Sequence, residues 1–213
     1  MGRHPEAAAE QPALVRQRRW LRDALLKRLD PANGMDVRMF LAINQLPHTK
    51  LFNGVMYGIT QAMTGGYLWT LGLTCYAFTR RRRRERRYAL KALVEFMPSL
   101  LIATTLVDYP IKYYFRRRRP FINVVRAIVV GRKPGSYSFP SGHSAAAFAG
   151  AYLVSRYYPR RAPVFYSIAT LVGFSRIYVG AHYPGDVLSG GSLGIFFASI
   201  LQRIFSALRA TLD

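Results

Sequence analysis

Hydrophobic positions in this chain come in long runs separated by clusters of charge. The apolar segments cover roughly 51–79, 88–111, 141–158, 162–181 and 186–205. Each of the last four approaches the roughly 20 residues that an α-helix needs to cross the hydrocarbon of a bilayer. Charged residues within them are few and lie mostly near the ends, where ions avoid burial in lipid. Tyr67, Trp69, Tyr76, Tyr157 and Tyr158 also fall near segment ends, the depth at which amphipathic rings favour the interface. Gly65-Gly66 marks a tight turn that divides the first run into 51–63 and 67–79, each read as a short crossing. Before it, Met39 to Leu46 reads as a short helix ended at Pro47. The expected fold is all-α: a polytopic membrane helix bundle of about six transmembrane helices, with the membrane-embedded domain over 36–210. Residues 1–35 form a polar, basic segment without the early apolar core of a cleavable signal. Leu14, Leu21, Leu25 and Leu29 among its arginines fit either an amphipathic helix on an anionic surface or a basic tail.

Composition sharpens this picture. The 213 residues are 51% hydrophobic, yet 31 Lys+Arg against 10 Asp+Glu give a formal charge of +21. Such a charge suits a nucleic-acid binder or a protein at an anionic membrane. Its distribution in blocks between apolar runs selects the membrane and excludes nucleic acid. Cys75 is the single cysteine, so neither a disulfide nor a cysteine metal cluster is available.

The charge blocks also set an orientation. Arg80 to Arg87 holds seven arginines and one glutamate, which marks a cytoplasmic loop. Run 88–111 then leads outward, 141–158 inward, 162–181 outward and 186–205 inward, leaving both termini cytoplasmic. The loop 112–140 falls outside and breaks the rule, because it carries Lys112, Arg116, Arg117, Arg118, Arg119, Arg126, Arg132 and Lys133. Anion binding at that face is the simplest reason for so much external positive charge.

Three clusters converge on the same face: Lys112 with Arg119-Pro120, Pro140-Ser141-Gly142-His143, and Ser175-Arg176 with His182 and Asp186. Phosphate-ester cleavage needs fixed cations around the phosphoryl group, which Lys112, Arg119 and Arg176 supply. Ser141-Gly142-His143 opens an apolar run, so its N–H groups form the donor-rich start of a helix, and Gly142 allows close approach. The carboxylate of Asp186 can fix the His182 tautomer, and His143 can protonate a leaving oxygen. His182 and Asp186 are also spaced as a metal pair, but Pro184, Gly185 and the want of a third ligand speak against a metal, and no cofactor is expected.

Read as K-x6-RP, PSGH and SR-x5-H-x3-D, these clusters resemble the type 2 phosphatidic acid phosphatase superfamily at every defining position over residues 112–186. The resemblance is to the bacterial membrane lipid phosphatases of that superfamily, of the phosphatidylglycerophosphatase B and undecaprenyl diphosphatase kind. It implies a metal-independent site in which His182 forms a phosphohistidine, Asp186 orients it and His143 acts as general acid. Lys112, Arg119, Ser141, Gly142 and Arg176 would bind the phosphate. Members often show Arg-x-Arg-Pro, which places Arg117 at the earlier arginine. The denser run including Arg116 and Arg118 would either contact lipid head groups or widen the positive field. The implied partner is a phosphorylated membrane lipid at the extracytoplasmic face of the cell membrane: undecaprenyl or another polyprenyl diphosphate, phosphatidylglycerophosphate, phosphatidic acid or lipid A. Two other readings use the same residues: a lipid phosphotransferase, and a non-catalytic protein that binds anionic lipids. The vanadate-dependent haloperoxidases of the same superfamily are soluble, which the apolar runs disfavour.

Overall fold

Residues 31–79, 81–124 and 126–211 are described by the computed structural model, and among them every regular element is helical. The basic segment before residue 31, with its candidate amphipathic helix, lies outside the described residues. Helix α1 is Pro31–Asn44, α2 is Lys50–Ala62, α3 is Tyr67–Thr79 and α4 is Arg83–Leu106. A π-turn over Val107–Ile111 prolongs α4 into the single turn α5, Lys112–Phe115. Pro110 lies inside the π-turn, where its missing N–H removes one helical bond and the widened ladder accommodates the gap. After α5, Arg116 takes a left-handed conformation (φ 51°), uncommon for a side chain of its size, and turns the chain back across the bundle end. Short α6 (Pro120–Asn123) follows, then α7 (Gly142–Tyr157), α8 (Ala162–Tyr178) and α9 (Pro184–Ala210).

Helices α3, α4, α7, α8 and α9 run between the two ends of the bundle. Their shared core combines Trp69, Leu73, Phe96 and Leu100 with the alanine-rich face of α7 and Val172 of α8. Outward faces carry exposed apolar side chains such as Leu71, Phe78, Val94, Leu101, Val164, Leu171, Leu188 and Phe196. A soluble protein would not leave so broad an apolar belt against water, whereas a bilayer accepts it. Spans within Arg83–Asn123 and Pro184–Leu208 are long and apolar enough to cross by length and composition. The carboxylate of Glu95 on α4, half-buried in the bundle, is held by the hydroxyl of Tyr157.

The α7–α9 seam is the tightest part of the bundle. A Cβ at Gly190 would lie 2.3 Å from the Ser141 carbonyl oxygen, and one at Gly194 would lie 2.4 Å from that of Ala145. The two helices therefore meet backbone to backbone, the close approach that small residues permit in membrane bundles.

Two expectations need correcting. Run 51–63 is not a traverse: Asn53 in α2 meets Tyr178, Thr60 meets Ser175, and Thr64 just beyond it meets His143. All three partners lie at one end of the bundle, so α2 lies across that end. Helix α1 lies across the same end, with Asp36 against Gly185, Phe40 against Tyr183 and Asn44 against Tyr178. Helices α1 and α2 thus cover one end of the bundle, and α3, α4, α7, α8 and α9 run along it. Trp69 is the second correction. It is buried and donates from Nε1 to the Ala147 carbonyl at 3.1 Å, so it serves as core rather than as an interfacial ring.

Candidate active site

The three clusters meet at the end covered by α1 and α2. Lys112 comes from α5, Arg119 from the start of α6, Gly142 and His143 from the first turn of α7, and Arg176 from the last turn of α8. His182 lies in the connection to α9, and Asp186 in the first turn of α9. Lys112, Arg119, Arg176, His182 and Asp186 are all buried. His143 lies within electrostatic range of Arg176, His182, Lys112 and Arg119 together. A cleft of about 240 Å³ leads to this group, with His143 and Arg176 in its wall beside Tyr57, Gln61, Thr64 and Arg132.

The hydrogen bonds assign the His182 tautomer. Its Nε2 is 3.2 Å from Nη1 of Arg119. Guanidinium can only donate, so Nε2 must present its lone pair and the ring proton must sit on Nδ1. That Nδ1 faces Oδ2 of Asp186 at 3.7 Å, a distance of charge attraction rather than a formed hydrogen bond. Burial, and secondarily the charges of Arg119 and Arg176, lowers the His182 pKa to about 3 against the opposing pull of Asp186. The folded protein keeps this imidazole neutral while the unfolded chain protonates it near pH 6.5. His182 therefore adds stability above pH 6.5, and the contribution is lost as pH falls from 6.5 towards 3.

Asp186 is held from four sides. It accepts from Ser138 Oγ at 2.5 Å, from the Tyr183 N–H at 2.9 Å and from Arg117 Nη1 at 2.6 Å, while its carbonyl accepts from the Ser141 N–H at 2.9 Å. The last of these bonds ties α9 to the start of α7.

Arg119 is also fully committed, donating to the Ser136 carbonyl at 2.7 Å and the Ala181 carbonyl at 2.8 Å. Burial lowers its pKa to about 10, which still leaves it charged at neutral pH. Arg176 differs: its buried Nε has no acceptor among the described residues. A buried cation with a spare donor favours an anion beside it.

Ser141 Oγ caps α7 by accepting from the Ser144 N–H (3.3 Å) and Ser144 Oγ (2.9 Å), which leaves its own O–H free to donate. The N–H groups of Gly142 and His143, in the first helical turn, are further donors for a ligand. Arg117 was expected at the substrate, yet its fork is occupied by Asp186 and by Asp36 Oδ2 at 2.7 Å, and it stacks over Tyr183. Burial pulls its pKa down, but Asp186 and Asp36 outweigh that and raise it. Arg116 is exposed and donates from Nε to the Tyr113 carbonyl, and Arg118 is exposed as well.

Asp36 had no sequence motif to announce it. Its Oδ1 accepts from the Gly185 N–H at 2.7 Å, so it caps α9 while its other oxygen holds Arg117. Asp36, Arg117, Asp186 and His182 thus form a chain of alternating charge from α1 to the imidazole. Asp36→Asn is expected to lower kcat by about tenfold with KM little changed, because it loosens Arg117 and Asp186 without touching the cradle. Steady-state kinetics on a soluble phosphomonoester check this, and a change confined to KM would contradict it.

Comparison with known proteins agrees with the geometry. The PAP2 superfamily profile matches residues 92–210, more than half of the chain. A lipid A 4′-phosphatase of Porphyromonas gingivalis is 27% identical over 81% of this chain and 73% of its own length. An undecaprenyl-diphosphatase of Sulfolobus acidocaldarius is 29% identical over 81% of this chain and 80% of its own. The crystal structure of a transmembrane PAP2-type phosphatidylglycerolphosphate phosphatase from Bacillus subtilis superposes with a TM-score of 0.58. It shares 25% identity and covers 84% of this chain and 88% of that one. Family profile, relatives and buried histidine site lead to one assignment: the chain is a member of the PAP2 superfamily.

Proposed function

We propose that this protein hydrolyses a phosphate ester or diphosphate on a membrane lipid through a phosphohistidine at His182. The observation that carries the reading is the cradle itself: buried Lys112, Arg119 and Arg176 surround two histidines, and Arg176 keeps a donor unpaired. In the first step the Nε2 lone pair of His182 attacks phosphorus and the bond from phosphorus to the lipid-side oxygen breaks. His143 gives its proton to that leaving oxygen. In the second step His143 takes a proton from water, the oxygen attacks the phosphohistidine, and inorganic phosphate leaves with His182 restored. Asp186 stabilises the cationic imidazole between the steps, and the cradle neutralises charge spreading over the phosphoryl oxygens.

The substrate class follows from the apolar belt beside the cleft and from the relatives, which include lipid A phosphatases and undecaprenyl-diphosphatases. We place the cleft at the extracytoplasmic face, because the arginines over 81–87 lie at the other end of the bundle and belong in the cytoplasm. Purified protein in detergent with EDTA is expected to release phosphate from at least one of undecaprenyl diphosphate, phosphatidylglycerophosphate, phosphatidic acid and lipid A. No release from any of the four would overturn the reading.

A further inference from the structure

Asp108 is an acid beside the cradle that the mechanism leaves unused. It is the second residue of the π-turn that follows α4, and its Oδ1 accepts from Lys112 Nζ at 2.5 Å. Both carboxylate oxygens press on the start of α7: a Cβ at Gly142 would lie 2.1 Å and 2.4 Å from them. Its charge also reaches Arg119. A carboxylate against the first turn of a helix, bonded to a buried lysine and near a buried arginine, occupies the surroundings that suit a phosphate. The Asp108 side chain is 40% exposed and that of Lys112 only 6%, so the acid can swing out towards solvent while the lysine stays.

We propose that Asp108 is a built-in competitor for the phosphate seat, which an incoming phosphate must displace from Lys112 and Gly142. This rests on reading the cradle as that seat. The competitor sets a threshold. A terminal phosphate monoester or diphosphate brings nearly two charges or more and can outbid one carboxylate. A phosphodiester head group, the form carried by the bulk lipids around the protein, brings only one charge. Asp108 thereby selects against the anions that outnumber the substrate in its own membrane.

The alternative is that Asp108 only positions Lys112, and the two roles predict opposite signs. Asp108→Asn keeps an oxygen that can accept from Lys112 but removes the competing charge. In neutral detergent, inorganic phosphate is expected to bind Asp108→Asn about tenfold more tightly than wild type by calorimetry, since the seat is freed from its occupant. Phosphatidylglycerol in mixed micelles, a poor inhibitor of wild-type turnover, is expected to inhibit the variant strongly. Phosphate affinity that is unchanged or weaker in Asp108→Asn would overturn the proposal. Arg176→Ala separates this from failure of the seat: if it binds phosphate as wild type does, both the seat and the competitor are wrong. If it binds weakly while Asp108→Asn shows no gain, only the competitor fails. Asp108→Ala deletes the carboxylate altogether, carries the same expectation, and serves where the asparagine variant does not fold.

Discussion

Replacing His182 by alanine is expected to lower phosphate release by at least about 10⁴-fold, because the attacking atom itself is removed. Its neutral tautomer is already selected: Arg119 faces Nε2 at 3.2 Å and can only donate, so the lone pair points into the cradle. Burial holds the imidazole pKa at about 3, so the nucleophile does not lose activity to protonation between pH 5 and 7 in the free enzyme. The acid limb of kcat/KM over that range should therefore follow ionisation of the substrate phosphate rather than of His182. Inorganic phosphate should still bind His182→Ala, because Lys112, Arg176 and the start of α7 remain. Rapid quenching of wild-type turnover with labelled substrate should trap an acid-labile phosphoprotein that the variant does not form. Turnover by the variant within a hundredfold of wild type would remove His182 from the nucleophile's role.

Asp186→Asn is expected to cost about 10³–10⁴-fold in kcat, more than its small change of shape suggests. Both carboxylate oxygens are engaged by donors, Arg117 on one side, Ser138 and the Tyr183 N–H on the other. An amide must turn its NH₂ towards one of these groups, so a donor meets a donor in a buried place. Whichever way it turns, the Nδ1 side of His182 loses its negative partner, and the cationic imidazole formed during turnover loses the charge that stabilises it. KM should stay within a fewfold, since no cradle cation is touched. A variant with kcat within tenfold of wild type would show that stabilising the cationic imidazole is not the task of Asp186.

Much of this site is legible in the chain, for a physical reason. Phosphate chemistry requires particular donors at fixed spacing within short stretches of chain, so Lys112, Arg119, Gly142, His143, Arg176, His182 and Asp186 can be found by reading locally, and the fold does bring them to one end. What reading misses is held by partners distant in sequence. Asp36 lies 81 residues from Arg117 and 149 from Gly185, and no local pattern links them. Arg117 looked like a substrate contact because arginines near a phosphate site usually are; only its two carboxylate partners show otherwise. Asp108 stands four residues before Lys112, the spacing of an ordinary helical ion pair, which conceals its pressure on Gly142. Run 51–63 misleads in another way. Its apolar content matches a crossing, but Asn53 and Thr60 tie it to the bundle end.

The seam at Gly190 and Gly194 has a consequence for tolerance in the chemistry. Helix α7 carries His143, and α9 begins with the carboxylate that sets His182, so the offset between the two helices fixes the gap between acid and nucleophile. Contact between backbones cannot be tuned by a rotamer change, as contact between side chains can. A methyl group at position 194 would sit 2.4 Å from the Ala145 carbonyl oxygen and force the axes apart by a fraction of an ångström. Misplacement by about 1 Å costs catalysis on the order of a hundredfold. Two residues without side chains, roughly 6 Å and 12 Å along α9 from Asp186, thus act as the spacer that keeps two histidines at working distance.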